Sequence, residues 1–374
     1  MKKQSEATRE WRNRQQRIAA HLEARTAGWA RQAALGHRKR RSRRIVTSIV
    51  RVPKLLAAER PEQRDEIIKV VNSAVSILRR EGTRVKFDFT GTTKLFPGGT
   101  LMLLAFLELF VQTWPHRVQA RCIPNSLSAQ LLRHFGIADQ LGIAVSSSRP
   151  RHESVVNWKY LTGTLADGEK LSGLLDSYRN QTGANIPEGL YDVLAEALTN
   201  VRHHAYTKGD ELPDTLKRWW LFSRYDAPTE SSPGNLYVAV YDIGIGIQAS
   251  MRQKLEAGEV VLDKTDELAS WLGMTGSGRL ERLLLERAVE HRRSSTGLAF
   301  RGNGLPEMRD FILGTKEGRL YIVSGAAQYS CVPARGLSET IACSRGFVGT
   351  LILWSLPLMP SEVANGDSQV HINS

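Results

Sequence analysis

Apolar residues between Pro61 and Leu78 recur every three or four positions, at Ile67, Val71, Ala74, Val75 and Leu78. That period places them on one face of an α-helix. Pro61 suits its first turn and Gly82 is placed to end it. The period then drops to two in Arg84-Val-Lys-Phe-Asp-Phe-Thr90, which predicts a strand with Val85, Phe87 and Phe89 inward. Phe96-Pro-Gly-Gly-Thr100 reads as a turn into an apolar helix from Leu101 to Trp114, with Thr100 as an N-cap hydroxyl beside two turn glycines. A second strand, Val118 to Ile123, leads through Pro124-Asn125-Ser126 to another helix and Phe135-Gly136-Ile137. Strands alternating with helices predict an α/β unit over residues 61–145.

Residues 146–157, beginning Ser-Ser-Ser-Arg-Pro, read as a linker. A second unit runs from Trp158 to Pro357, and residues 358–374 read as a polar disordered tail. Within the second unit, Glu196, Asn200 and His204 are four apart, so on a helix they form a polar stripe. Leu194, Ala197, Leu198 and Val201 supply the apolar flank that packs on a sheet. Leu236 to Asp242 is a strand by its apolar and aromatic content, as is Gly349 to Pro357. Between them, residues 251–300 include a glycine-rich stretch, Gly273 to Gly278, and a helical run, Arg279 to Arg293, with Leu280, Leu283, Leu284 and Ala288 at helical spacing.

Charge changes the picture only at one end. Of 51 Lys+Arg, 17 fall in residues 1–60 against 4 of the 38 acids, so the whole net charge of +13 sits there. The segment divides into an Arg/Gln/Ala-rich stretch of helical propensity and the cluster His37 to Arg44. It reads as a basic, helical or flexible arm, suited to nucleic acid, to an anionic surface or to a docking partner. Cys122, Cys331 and Cys343 are odd in number and lack metal-ligand spacing, so neither a disulfide framework nor a structural metal is implied, and a cytoplasmic setting fits. The longest apolar run, Leu101 to Val111, is too short to span a bilayer and holds Glu108, so no membrane partner is expected.

Four segments carry candidate chemistry. The first is the Glu196/Asn200/His204 stripe. In the second, Asp242 is delivered by a strand into Gly244-Ile-Gly246; a strand-end carboxylate can accept from an adenine amino group, and glycines permit close backbone approach. In the third, Gly302-Asn303-Gly304-Leu305 precedes a helical run from Pro306, offering unpaired amides to phosphate oxygens. In the fourth, Thr350 opens the last strand, where its hydroxyl can support Asp242.

In this order the four segments resemble the conserved boxes of the GHKL superfamily, which includes gyrase, a heat-shock chaperone, histidine kinases and mismatch-repair MutL. Glu196-Ala-Leu-Thr-Asn200 through His204-Ala-Tyr206 is especially similar to bacterial anti-sigma-factor serine kinases. The resemblance spans residues 158–357 and implies an α/β (α+β) two-layer sandwich with a mixed sheet, binding ATP and Mg under a lid at 251–300. It implies Mg on Asn200, adenine on Asp242 with Gly244 and Gly246 shaping the pocket, and phosphates along Gly302, Asn303, Gly304 and Leu305. Thr350 would back up Asp242 and Glu196 would serve as general base; His204 would either approach the phosphates or cap or pack, and Arg292 and Arg293 would either reach the phosphates on lid closure, as guanidinium chemistry suits, or form a solvated helix end. Residues 61–145 resemble a STAS domain, the fold of anti-anti-sigma factors, although Pro97-Gly-Gly-Thr100 replaces the usual Ser-Ser/Thr-Gly phosphorylation turn.

A conventional histidine kinase is disfavoured, because His21-Leu-Glu-Ala-Arg lacks the Pro that follows a phosphoacceptor His, and His37 lies in the basic cluster. Gyrase or MutL kinship would predict a long transducer after the ATP site, whereas a short tail follows Pro357. The expectation is a regulatory protein that hydrolyses ATP or phosphorylates a protein Ser/Thr. The alternative is an ATP-gated switch controlling a protein partner or nucleic acid through the STAS-like unit and residues 1–60. The partner is unidentified, and a homodimer stays open.

Overall fold

The computed structural model describes residues 45–143, 155, 157–165, 167–183, 185–206, 217–230, 232–256, 277–290 and 304–358. The first unit comprises β1 (Val46–Arg51), β2 (Leu55–Leu56), α1 (Pro61–Leu78), β3 (Thr83–Asp88), β4 (Lys94–Leu95), α2 (Pro97–Thr113), β5 (Val118–Arg121) and α3 (Leu127–His134). Strands β1, β3 and β5 form a parallel sheet with β3 central, and β2 and β4 make a short parallel pair. All five apolar residues assigned to the inner face of α1 are buried, as are Val85, Phe87 and Phe89.

Two expectations fail here. Strand β1 lies inside residues 1–60, where charge pointed to an arm; its apolar stretch is short and ends in Arg51, and pairing with β3 makes it a strand. The first unit therefore begins at Val46. Nor is Pro97-Gly-Gly-Thr100 a turn, because these residues form the first turn of α2. A methyl group on Gly99 would lie 2.6 Å from the Leu56 carbonyl carbon, so glycine lets the helix settle against the β2 backbone. The N-cap is Phe96, and the Thr100 hydroxyl is buried with no hydrogen-bond partner among the described residues.

The second unit comprises β6 (Trp158–Gly163), α4 (Gly168–Thr182), α5 (Leu190–Asn200), β7 (Trp219–Asp226), β8 (Gly234–Asp242), α6 (Ile247–Glu256), α7 (Ser277–Glu290), α8 (Gly304–Thr315), β9 (Arg319–Val332) and β10 (Leu337–Leu358). Its five-stranded sheet has the order β6-β7-β8-β10-β9. Every neighbouring pair is antiparallel, so the mixed sheet expected for this unit is absent among the described residues. Among the described residues parallel pairing is confined to the first unit, and the fold is α+β.

Both faces of the five-stranded sheet are covered. On β7, Trp219, Leu221 and Tyr225 join one core with α4, α5, α7 and α8, while Trp220 and Phe222 join the other. That second core is continuous with the first unit, joining Trp220, Phe222, Tyr241, Leu351 and Leu353 to Phe106, Phe110 and Leu131. Helix α2 lies in its middle, and 13 of its 17 residues are buried. This explains why β7 and β8 read as continuous apolar runs: a strand covered on both faces loses its polar alternation.

Polar contacts pin the same junction. Glu108, the one acid of α2, accepts from the Tyr160 hydroxyl at 2.5 Å and from the Trp220 indole N–H at 2.8 Å. Arg64 of α1 is fully buried and donates to the Ala58 carbonyl, the Gln328 side chain and the Cys343 sulfur, the last two on β9 and β10. Among the described residues no helix is long and apolar enough to cross a membrane.

Candidate functional site

Helix α5 buries Leu190, Val193, Leu194, Ala197 and Leu198 in the core. Glu196 and Asn200 are left half-buried on another face. Burial is the main cause that raises the Glu196 pKa, and the nearby Glu307 carboxylate adds to it. A hydrogen bond with the Asn200 side chain and the charge of His203 act the other way. Beyond Asn200 the helix widens into a π turn, Val201–Ala205. Its longer hydrogen-bonded repeat takes His204 off the one-turn line from Asn200, and Arg202, His203 and His204 are all exposed. The expected three-residue stripe therefore contracts to Glu196 and Asn200.

Asp242 ends β8 and is 4% exposed. It lies opposite Thr350 in the β8–β10 register. Its carboxylate accepts from the Gly244 N–H at 2.8 Å and from the Thr350 backbone. Burial nevertheless dominates and pushes its pKa up to about 7. The turn that follows is welded to the end of the π turn: the Ile245 N–H donates to the Ala205 carbonyl at 2.9 Å, and any side chain on Gly244 would collide with that carbonyl. Tyr206 adds a second tie, its hydroxyl donating to the Arg218 carbonyl and accepting from the Ile243 N–H.

Gly246 has a φ of +82° and packs against Ser324 of β9, whose hydroxyl accepts from the Ile247 N–H and donates to the Gly349 carbonyl. Ser324 also lies 3.3 Å from the Thr350 hydroxyl. Two of the four candidate segments, the Gly246 turn and the start of β10 at Thr350, thus meet around one hydroxyl that sequence reasoning missed, since an isolated serine in a strand gives no signal before the strands are paired.

Gly304 starts α8 and is buried against α5; a methyl group there would overlap the Glu196 carboxylate and lie 2.8 Å from the Asn200 amide nitrogen. Leu305 is half-buried against the helical core. Gly302, Asn303, Arg292 and Arg293 lie outside the described residues. The region 251–300 expected to form a lid is anchored where it is described: Leu284, Leu285 and Val289 of α7 are fully buried, and Glu281 pairs with Arg252 of α6. The buried face differs from the expected one, with Leu280, Leu283 and Ala288 only half-buried.

The structure therefore brings Glu196, Asn200 and Gly304 together, and separately joins Asp242, Gly244, Gly246 and Thr350, with Ala205 linking the two groups. A half-buried carboxylate of raised pKa beside a carboxamide and a helix N-terminus suits proton abstraction near an anion. Among the described residues no three His, Cys, Asp or Glu side chains gather to hold a metal. A hard cation on the Asn200 oxygen would need further oxygens from its ligand, which phosphates provide. A cavity of about 470 Å³ lies elsewhere, lined by Glu188, Asp310, Phe311 and Leu356. It contains none of these groups, and the chemistry of the residues outweighs its size. Comparison of the chain with protein-family models and with curated proteins gives no match.

Proposed function

We propose that residues 158–358 bind Mg-ATP in the manner of the GHKL superfamily and act on the phosphoryl group, with residues 46–143 as a STAS-like regulatory unit. The supporting observation is the meeting of Asn200 and Glu196 with Gly304, and of Asp242 with Gly244, Gly246 and Thr350. In this reading the Asp242 carboxylate accepts from the adenine amino group, and Gly244 and Gly246 let the base approach the backbone. Thr350 and Ser324 hold that turn in place. Asn200 takes Mg through its side-chain oxygen, while Gly304 and Leu305 present α8 amides to phosphate oxygens. The metal supplies positive charge that offsets the triphosphate. Glu196 takes the proton from a water or from a partner Ser/Thr hydroxyl, a task its raised pKa suits.

Titration with a fluorescent ATP analogue, with and without Mg, tests the reading. Wild type is expected to bind, Asp242→Ala to lose at least about tenfold in affinity, Asn200→Ala to lose its Mg dependence, and Glu196→Ala to bind while ceasing to release phosphate. Wild type that ignores nucleotide would reject it. An ATP-gated switch is the second reading, favoured by the span of β9 and β10 from Ser324 and Thr350 to Gln328 and Cys343, which contact Arg64 of the first unit. Partner binding that survives Glu196→Ala but not Asp242→Ala selects the switch.

A further inference from the structure

The sheet of the first unit keeps its helices on one side. Val50, Val85, Phe87, Val118 and Ala120 point into the core, so their neighbours along β1, β3 and β5 point away from it. Pairing puts these outward residues in rows: Thr47 beside Arg84; Ile49 beside Lys86 and Gln119; Arg51 beside Asp88 and Arg121. Thr47, Ile49, Arg51 and Arg121 are exposed, and Arg84, Lys86 and Gln119 half-buried. Parallel sheets are ordinarily covered on both faces. Among the described residues this one is left open.

The open face carries four cations and one acid. Asp88 is 6% exposed and bonded to Arg121, Thr90 and the Thr90 backbone N–H, and these contacts, the Arg121 bond foremost, hold its carboxyl well below the usual range. It stays ionised and absorbs one positive charge. Arg51, Arg84 and Lys86 remain, at strand spacings of roughly 5 Å across and about 7 Å along the sheet. In sequence the chain before β1 is itself cationic: residues 1–44 carry 14 Lys+Arg against 3 acids. Such a segment is repelled by a cationic face, which disfavours it as the cover, and a second copy is disfavoured for the same reason. The face itself presents no aromatic ring, so it has no platform for unstacked bases.

We propose that this outer face of the β1-β3-β5 sheet is a docking surface for the phosphate backbone of duplex nucleic acid, read without base specificity, with Arg51, Arg84 and Lys86 as its cations. Lys and Arg facing a duplex gain affinity by releasing condensed counterions, which needs no shaped pocket. The proposal is independent of the ATP reading, since none of its residues belongs to that site.

The test is fluorescence anisotropy of a labelled 20-base-pair duplex titrated with the full chain across a salt series. The double variant Arg84→Glu/Lys86→Glu is compared with Lys316→Glu/Arg335→Glu, which removes the same charge from exposed positions elsewhere. The sheet variant is expected to bind at least about tenfold more weakly, with a log–log salt slope shallower by about 2; the control pair stays within about twofold of wild type. Circular dichroism checks that both pairs fold, and the single variant Arg51→Gln serves if the double one does not. Equal losses in both pairs, no loss in the sheet variant, or no duplex binding by wild type would overturn the proposal. So would anionic vesicles or polyglutamate binding through these residues when duplex does not compete.

Discussion

Asp242 is the residue whose setting has the most direct solution consequence. A carboxyl with an ordinary pKa of 3.8 is carried to about 7 by burial. Between those values the folded chain holds a proton that the unfolded chain has released. The stability contributed by this group is full below about pH 4 and is lost as pH rises through about 7. Thermal melts across that window should fall with pH for wild type, and Asp242→Asn should flatten this component. If adenine donates to the ionised carboxylate, nucleotide affinity should tighten from pH 6 to 8, a trend absent in the same variant. Gly244 makes a second prediction: Gly244→Ala drives a methyl into the Ala205 carbonyl and should cost about 1–3 kcal/mol of stability, measurable by urea denaturation.

At this scale the sequence could point to Asp242 and Thr350 at strand ends and Gly304 at a helix start, because carboxylates, hydroxyls and glycines at such ends are legible as pattern, and the structure puts Asp242 opposite Thr350 and Gly304 against Glu196 and Asn200. It was blind to Ser324 and Ala205. Their importance comes only from contact with segments distant in the chain. His204 leaves the expected stripe for a local reason, since nothing in Val201–Ala205 signals that the helix would widen there.

Among the elements, α2 shows how the same residues support two readings. Pro-Gly-Gly is turn chemistry by composition, yet here the proline occupies a first helical position and the glycines admit the β2 backbone and the Leu351 side chain. Helix α1 and strand β3 were legible because one face of each is buried and the other is not. Strand β1 was not, because Val50 is the one buried residue of its inner face and charged residues crowd its ends. Glu108 offers the test for this layer. Glu108→Ala strands the Tyr160 hydroxyl and the Trp220 N–H at the junction and is expected to cost about 2–5 kcal/mol. Glu108→Gln keeps an acceptor and should recover much of it, as read by chemical denaturation.

For the molecule as a whole, the continuous core on the near side of the five-stranded sheet decides cooperativity. Trp220, Phe222, Tyr241, Leu351 and Leu353 share one core with Phe106, Phe110 and Leu131 of the first unit. The sequence suggested two domains and a linker, because composition marks a boundary near residue 146 and cannot register which faces will meet. Calorimetry should give one unfolding transition for the intact chain. A fragment of residues 155–358 should bind a hydrophobic dye and aggregate, because its apolar sheet face is laid bare.

That shared core also sets an order of events at the ribosome. Helix α2 emerges early, but β10, which completes its wall, follows about 240 residues later, on the order of tens of seconds at ordinary elongation rates. Throughout that interval the nascent chain carries Phe106, which packs on Tyr241 in the finished protein, without that cover. Synthesis is therefore expected to engage a chaperone that recognises greasy helices, and slowing translation between the two elements should lower the yield of active protein.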